Sequence, residues 1–323
     1  MKQLLEGLCA AGEDSRLRLL TLCARGELTV SELTQILGQS QPRVSRHLKL
    51  LCDGGLLHRF REGSWVFFRL ADVGASAELA RAVVAMVPGD DPTYLRDSER
   101  LEKIKATRAA AAATYFRENA LRWNEIRALH VPEQRVEQVF VDAVAGGRYR
   151  DSLDIGTGTG RILEILAPYV ARGIGVDLSH EMLSIARTNL ERAGLRHCYV
   201  RLSDMYTLPF EEDSIDLITI HQVLHFANEP ARVIGEAARL LRPGGRMIVA
   251  DFAPHALEYL RADHAHRRLG FTDEEVASWF RANGLICDEA VRLEGEPLTV
   301  MVWHANRPGV RQLIDEPLKE SAA

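Results

Sequence analysis

The sequence predicts two domains of different class. A small, mainly helical unit ending in a β-hairpin is followed by an α/β unit built on a mostly parallel, doubly wound sheet. Three observations carry this. A chain of 323 residues is long for one hydrophobic core. Helical periodicity dominates the first part and gives way, from Arg148 onward, to strands alternating with amphipathic helices. Between the two patterns stands PGDDP, Pro88 to Pro92, a linker composition of prolines, a glycine and acids. The expected divisions are 1–88, a helical linker over 89–146, the α/β unit over 147–307 and a polar tail over 308–323.

Composition bounds the function classes. With 46% apolar and 26% charged residues the chain reads as an ordinary globular protein. A net charge of -5 excludes a protein basic throughout but leaves room for a local basic patch. Cys9, Cys23, Cys52, Cys198 and Cys287 are scattered and form no C-x-x-C pair. That fits free thiols in a reducing compartment rather than a disulfide framework or zinc ribbon. MKQLLEGLCAAGEDSR turns acidic too soon for a signal peptide, and no apolar run approaches the roughly 18 residues of a membrane span. A cytoplasmic location is expected, with no membrane partner and no metal site.

The N-terminal elements follow in order. Ser15 to Ala24 sets Leu17, Leu20 and Cys23 on one helical side, and SELTQILG forms a second short helix that Gly38 ends. Ser40 can cap the next helix, and Pro42 falls in its tolerant first turn. In SQPRVSRHLKLL the 3.6-residue period turns Val44, Leu48 and Leu51 inward and Gln41, Arg43, Ser45, Arg46 and Lys49 outward, with His47 beside them. Asp53-Gly54-Gly55 stops it, and LLHRFREGSWVFFRL alternates around Glu62-Gly63-Ser64 as a hairpin. An outward basic helix after a helix and tight turn suits the major groove of DNA, and Arg59, Arg61 and Arg69 on the wing would meet phosphates. Ala71 to Val87 and Thr93 to Leu129 read as further helices, the second bridging the domains.

Residues 10–88 resemble the ArsR/SmtB family of winged-helix repressors, most specifically in the helix from Ser40 and the hairpin after it. The resemblance implies a homodimer on a palindromic double-stranded operator. One departure matters: arsenite-sensing members carry cysteines in the segment that here reads ELTVSEL, where Thr29 and Ser31 are poor ligands for a soft metal. The helix after the wing, ASAELARAVVAMV, also lacks the acid–histidine pattern of zinc sensors.

In the second domain SLDIG, RGIGVDL, CYVRLSD, SIDLITIHQ and GRMIVADF read as parallel strands, with CDEAVRLEG and LTVMVWHANR as an antiparallel pair at the edge. DIGTGTG, Asp154 to Gly160, follows a strand and opens a helix, where glycines allow a sharp turn and close ligand approach. Asp177 ends the next strand, placed to accept hydrogen bonds from ribose hydroxyls, and Asp204 and Met205 end the third. With LLRPGGRMIV, these motifs resemble class I S-adenosylmethionine-dependent methyltransferases over 148–307, above all those of quinone biosynthesis. The resemblance implies a Rossmann-like sheet of seven strands, the last antiparallel. Asp154, Gly156, Thr157, Gly158 and Gly160 would hold the methionine portion of S-adenosylmethionine or S-adenosylhomocysteine. Asp177 would take the ribose, Asp204 and Met205 the adenine, and His221 the methyl-transfer face, with Leu178 and Met182 also among the cofactor-binding residues. Tyr115, Phe116 and Trp123 stand where relatives place a cofactor lid; core packing accounts for them equally.

No base stands out. His221 and His225 are weak catalytic candidates, and Asp251, His264 and His266 lie in segments that form acceptor pockets in this fold. The expected function is a DNA-binding transcriptional regulator whose methyltransferase domain senses the cofactor or methylates a small acceptor. The alternative is an active small-molecule methyltransferase whose first domain mainly dimerises.

Overall fold

The computed structural model describes residues 2–62, 65–71, 75–119 and 133–309. They fall into two compact units, Met1–Ala111 and Ala112–Ala323. The first comprises α1 (Lys2–Ala11), α2 (Asp14–Cys23), β1 (Leu28–Thr29), α3 (Val30–Leu37), α4 (Gln41–Asp53), β2 (Leu57–Glu62), β3 (Trp65–Leu70), α5 (Ala75–Ala85) and the start of α6 (Pro92–Asn119). Leu19, Leu20, Leu33, Ile36, Val44, Leu48 and Leu51 meet in one core, the inward set that helical spacing predicts for α3 and α4.

Local chemistry sets the ends of these helices. Thr29 and Glu32 form a reciprocal capping box on α3, and Gly38 ends it at φ 66°, a left-handed conformation that costs glycine little. A hydroxyl standing where a soft-metal site would need a thiol is thus used as a cap. Ser40 occupies the N-cap of α4 without the expected side-chain bond. Its carbonyl accepts from the amides of Arg43 and Val44 instead, and Pro42 presets the first turn. The two-residue β1, absent from the sequence reading, pairs with β3 (Leu28 opposite Phe68) in a three-stranded sheet ordered β1-β3-β2.

The domain boundary drawn at Pro88 moves. Leu101 and Ile104 of α6 are buried in the first unit's core. Asp97, 2% exposed, accepts from Arg18 Nε at 2.7 Å and Nη2 at 2.9 Å. Arg100 Nη1 donates to the Ile36 carbonyl at 2.6 Å, in the last turn of α3, and Lys105 Nζ to that of Arg25 at 3.0 Å, in the turn just past α2. PGDDP is therefore a turn inside the first unit, with Asp91 Oδ1 accepting from the Thr93 and Tyr94 amides at the start of α6. The segment read as a bridge begins as part of the DNA-reading candidate. The rest of that segment, residues 120–132 with Trp123, and the side chains of Tyr115 and Phe116 lie outside what the structure describes, as does the tail beyond 309.

The second unit contains α7 (Glu133–Val144), β4 (Tyr149–Ile155), α8 (Arg161–Leu166), β5 (Val170–Asp177), α9 (His180–Arg192), β6 (Cys198–Leu202), β7 (Ile215–His221) and α10 (Pro230–Leu240). Then follow β8 (Leu241–Phe252), α11 (Tyr259–Asp263), α12 (Asp273–Ala282), β9 (Ile286–Cys287), β10 (Val291–Leu293) and β11 (Val300–Asn306). The sheet runs β10-β11-β8-β7-β4-β5-β6, parallel from β8 to β6 and antiparallel at β11, with β9 pairing β11 off this path. The seven strands expected become eight among the described residues. Cys287 lies opposite Ala305 and Val291 opposite Val302, so the CDEAVRLEG segment carries one residue more than its partner. The extra residue makes a bulge that divides the segment in two.

Both faces of the sheet are covered, because successive residues on its central strands are mostly apolar. Ile218, Ile220, Met247, Val249, Met301 and Trp303 join one core, while Leu217, Ile248, Ala250, Val300 and Val302 join another.

If the start of α6 belongs to the first unit, Leu101→Ala should destabilise that unit by about 2–5 kcal/mol. Hydrogen exchange on the full chain is expected to show faster amides in α2 and α3, with β4, β7 and β8 unchanged.

Candidate functional site

In the second unit the parallel strands end at one edge, and their order reverses between β4 and β7. That switch point opens a crevice where ligands of doubly wound sheets bind. The glycine loop fills the turn from β4 to α8. Gly156, Gly158 and Gly160 have φ of 70°, 52° and 82°, and the amides of Gly156 and Thr157 donate to the Val176 carbonyl. At Gly156 a Cβ would stand 2.3 Å from Val223 Cγ2, in the turn after β7, so the loop packs where only glycine fits.

Asp177 governs this loop from the end of β5. Its Oδ2 accepts from the Gly158 amide and its Oδ1 from the Ser179 amide, both at 2.9 Å. Those bonds fix the carboxylate's rotamer and leave each oxygen further acceptor capacity. Burial pushes the Asp177 carboxyl up; the amides of Ser179, Gly158 and Leu178 pull it back, with a net rise. Leu178, 61% exposed, follows it, and Leu202, also exposed, lies beside it on β6. Exposed apolar side chains flanking a carboxylate suit a flat ring joined to a diol.

The other expected residues divide. Asp154 is buried and accepts from Thr219 Oγ1 at 2.7 Å, which orients it beneath the loop. Asp204 is exposed, and its Oδ1 accepts from the Tyr206 amide at 2.9 Å. Met205 is half-buried against the core, and His221 ends β7 with its ring edge-on to Phe140, 5.4 Å between centres. Two side chains turn away from the crevice. Thr157 packs down toward Gly175, and Met182 is sealed in the interior, its amide capped by Ser179 Oγ. They support the loop and α9 rather than face a ligand.

Three site residues were not singled out in the sequence. Thr219 shows only as one polar position in an apolar strand. Leu202 is exposed where its strand meets the crevice. Gln222 is buried at φ 53°, a left-handed conformation uncommon for a non-glycine residue, in the turn that carries Val223. The same turn brings His225 to Asp251: Nδ1 lies 2.8 Å from Oδ1, and the His225 amide donates to Oδ2 at 3.2 Å. His266, from HAH, lies tilted against the His225 ring, 4.1 Å between centres. Tyr206, whose phenol burial pushes up to about 12, accepts from the Asn228 and Glu229 amides before α10. Among the described residues no group of three or more His, Cys, Asp or Glu is placed to hold a metal ion.

In the first unit α4 presents Gln41, Arg43, Ser45, Arg46 and Lys49 to solvent, beside exposed Ser40, while Val44, Leu48 and Leu51 are buried. His47 is half-buried, its Nδ1 3.6 Å from Glu13 Oε2. Glu13 also stands 4.0 Å from Arg43 and accepts from the Arg16 amide as the N-cap of α2, linking the two helices. Lys49 pairs with Asp53 at 2.7 Å on the exposed face. Arg59 and Arg61 are exposed on one face of β2. Arg69 differs: it turns toward Glu27 at 3.9 Å and lies over the Phe60 ring at 5.7 Å, which withdraws it from the phosphate-contacting set.

Residues 13–59 match the family model described as bacterial regulatory protein, arsR family, and residues 153–249 match that of the methyltransferase domain. The chain joins an arsR-family regulatory domain to a methyltransferase domain. It is 36% identical over 164 residues to an uncharacterized 37.1 kDa protein of a Streptomyces fradiae transposon, a match covering 49% of this chain and 45% of that one. The chain thus spans less than half the length of that relative. It is 28% identical to a ubiquinone biosynthesis O-methyltransferase of Aromatoleum aromaticum over 62% of this chain and 92% of the enzyme. The fold resembles that of the N-methyltransferase NodS of Bradyrhizobium japonicum, with a TM-score of 0.51, 18% identity, and coverage of 61% of this chain and 98% of NodS. Among the described residues no helix is long and apolar enough to cross a membrane.

The methyltransferase domain's loop leaves no room for a side chain at Gly156. Gly156→Ala should destabilise the domain by about 1–3 kcal/mol, through overpacking against Val223 and a strained positive φ. Urea unfolding of the purified protein checks this.

Proposed function

We propose that the protein is a DNA-binding transcriptional regulator whose second domain binds S-adenosylmethionine and transfers its methyl group to a small acceptor. The observation that carries this is the Asp177 carboxylate, locked to the glycine loop at the sheet's switch point, in one chain with the exposed basic face of α4. The residues present fit the cofactor. Gly156, Gly158 and Gly160 let it approach the backbone, Asp154 shapes the loop from below, and Asp177 accepts from the ribose diol. Leu178 and Leu202 flank the adenine, with Asp204 and Met205 at its edge; His221 lines the transfer side. When bound, the cofactor supplies an activated methyl group. The chain's own residues align it and exclude water, which is most of what such a transfer asks of a protein.

On the DNA side, Arg43 and Arg46 reach base edges or phosphates in the major groove. Ser40, Gln41, Ser45 and His47 offer hydrogen bonds, Lys49 charge, and Arg59 and Arg61 phosphate contacts on the wing. The chain acts as a homodimer in the cytoplasm, each copy reading one half of a palindromic site. A ligand that prefers one of two dimer geometries regulates binding with a coupling of about 1–3 kcal/mol.

Asp177→Ala should abolish S-adenosylmethionine binding in calorimetry and leave DNA affinity unchanged; retained cofactor binding removes Asp177 from the site. In the unaltered protein the raised Asp177 carboxyl protonates above the usual aspartate range of about 3.9. Cofactor affinity should therefore fall as pH is lowered through that raised range, because a protonated carboxyl accepts poorly from a diol, and return as pH rises.

Arg46→Ala should weaken binding to DNA from the chain's own promoter region by about 1–3 kcal/mol and leave cofactor affinity intact. DNA affinity that is identical with and without saturating S-adenosylmethionine or S-adenosylhomocysteine would sink the regulatory coupling.

A further inference from the structure

We infer that the arsR-family unit carries a second ligand site, for a small apolar cation, in the cleft between α2, the end of α5 and the start of α6, and that Arg18 transmits its occupancy to α3. The cleft lies wholly within the first unit. Its volume of about 330 Å³ falls at the small end of the range of roughly 300–1,000 Å³ that small-molecule sites occupy. Leu17, Val83, Met86, Val87, Pro88 and Tyr94 form its walls. Val83 is buried, and Leu17, Val87 and Tyr94 are half-buried, so a molecule seated there is held mainly by apolar contact. Met86 stands 71% exposed in the turn where α5 runs out, its amide donating to the Ala82 and Val83 carbonyls. A flexible thioether at the rim of an apolar cleft is a surface that adapts to a ligand.

The polar groups select the charge of the occupant. Arg18 is committed, because its Nε and Nη2 bind the Asp97 carboxylate at 2.7 and 2.9 Å. Thr21 is committed too, its hydroxyl donating to the Arg18 carbonyl at 2.8 Å. Two exposed carboxylates complete the lining, Asp14 and Asp91. Asp14 lies 3.9 Å from Arg18 Nη1, beyond hydrogen-bond reach. Asp91 gives Oδ1 to the Thr93 and Tyr94 amides and keeps acceptor capacity on Oδ2. An ionised carboxylate can only accept, so the group that matches this pair is an N–H cation. Tyr94 adds an aromatic ring, whose face also favours a cation. An anion of the same shape meets two like charges, with Arg18 already answered by Asp97.

Arg18 ties the cleft to the DNA side of the unit. The guanidinium that lines the cleft holds Asp97 of α6 and reaches the Leu37 carbonyl, at 3.4 Å, at the end of α3. Gly38 caps that helix, and α4 begins at Gln41. An ammonium held by Asp14 and Asp91 competes for Asp14 and repels the guanidinium, which shifts the end of α3 with it. The effect on DNA rests on the DNA-binding reading; binding of the cation does not.

The test uses the full-length protein and three molecules of similar shape: tryptamine, tryptophol and indole-3-propionate, which are cationic, neutral and anionic at neutral pH. Calorimetry should show tryptamine binding about ten-fold more tightly than tryptophol, and indole-3-propionate more weakly than either. Asp14→Asn combined with Asp91→Asn should remove the preference for the cation, while asparagine keeps a capping oxygen at position 91. Val87→Phe, which fills the cleft, should weaken tryptamine and tryptophol alike. The double substitution alters only exposed side chains and decides the site by itself if Val87→Phe does not fold. Bound tryptamine should change hydrogen exchange at the Gly38 amide and shift affinity for promoter DNA by about five-fold or more. Neither change should occur in the double variant.

No tryptamine binding, tryptophol or indole-3-propionate binding as tightly, or tryptamine affinity unchanged by the double substitution overturns the site. Unchanged exchange at Gly38, or unchanged DNA affinity, in tryptamine-bound protein overturns transmission through Arg18. Protein that shows the tryptamine effects and binds no DNA overturns the DNA-binding reading instead, so the failures are distinguishable.

Discussion

The bond from the Gly158 amide to the Asp177 carboxylate is the constraint on which the ligand-facing end of the methyltransferase domain depends. A carboxylate at a strand end would be free to rotate into water. Tied to the loop on one oxygen and to Ser179 on the other, it is presented in a single orientation. The same bond holds the loop against β5, where Thr157 packs over Gly175 and Gly160 approaches Ala186 of α9. Each of these contacts needs a missing side chain. The glycines of the motif and Gly175 of the next strand thus serve one packing problem, the close approach of backbone at the sheet's edge.

Holding a carboxylate in this way has a cost. Burial raises the Asp177 carboxyl, and three amides only partly offset it, so the group is poised to gain from partners that satisfy its charge. Asp154 lies deeper and is answered by Thr219, a hydroxyl in an otherwise apolar strand. Asp251, deeper still, is answered by a histidine and two amides. Three carboxylates near the ends of β4, β5 and β8 thus face graded environments.

The arsR-family unit is organised by a different interaction. A helix far along the chain, α6, donates Asp97, Arg100, Leu101, Ile104 and Lys105 to the unit that ends, by family pattern, at residue 59. Arg100 meets a carbonyl in the last turn of α3, where a positive charge is favourable, and Lys105 meets one in the turn just past α2. The helices that carry α4 are therefore stabilised by a segment that continues toward the second domain. A candidate DNA-contacting helix held this way has its position set partly by residues outside its own motif.

What was legible in the sequence was whatever depends on local spacing. The inward row Val44, Leu48 and Leu51, the outward Arg43, Arg46 and Lys49, and the cap at Gly38 follow from the helical period and from glycine's backbone freedom. The parallel strands and the Asp154, Asp177 and Asp204 positions were legible because strands buried on both faces leave runs of apolar residues that polar groups punctuate at their ends. Contacts between distant residues were not legible. No local signal tells that Arg69 turns to Glu27, that Met182 is sealed, that Leu101 belongs to the first core, or that Ser40 makes no side-chain cap. Nor does spacing reveal that His225 meets Asp251, twenty-six positions on, because only the pairing of β7 with β8 brings them together. Sequence by itself determined which segments form helices and strands and which glycines and acids mark the crevice. Tertiary structure decided which of those groups open to the crevice, which face each other, and where one compact unit ends, because burial and long-range pairing are properties of the packed fold rather than of any segment in it.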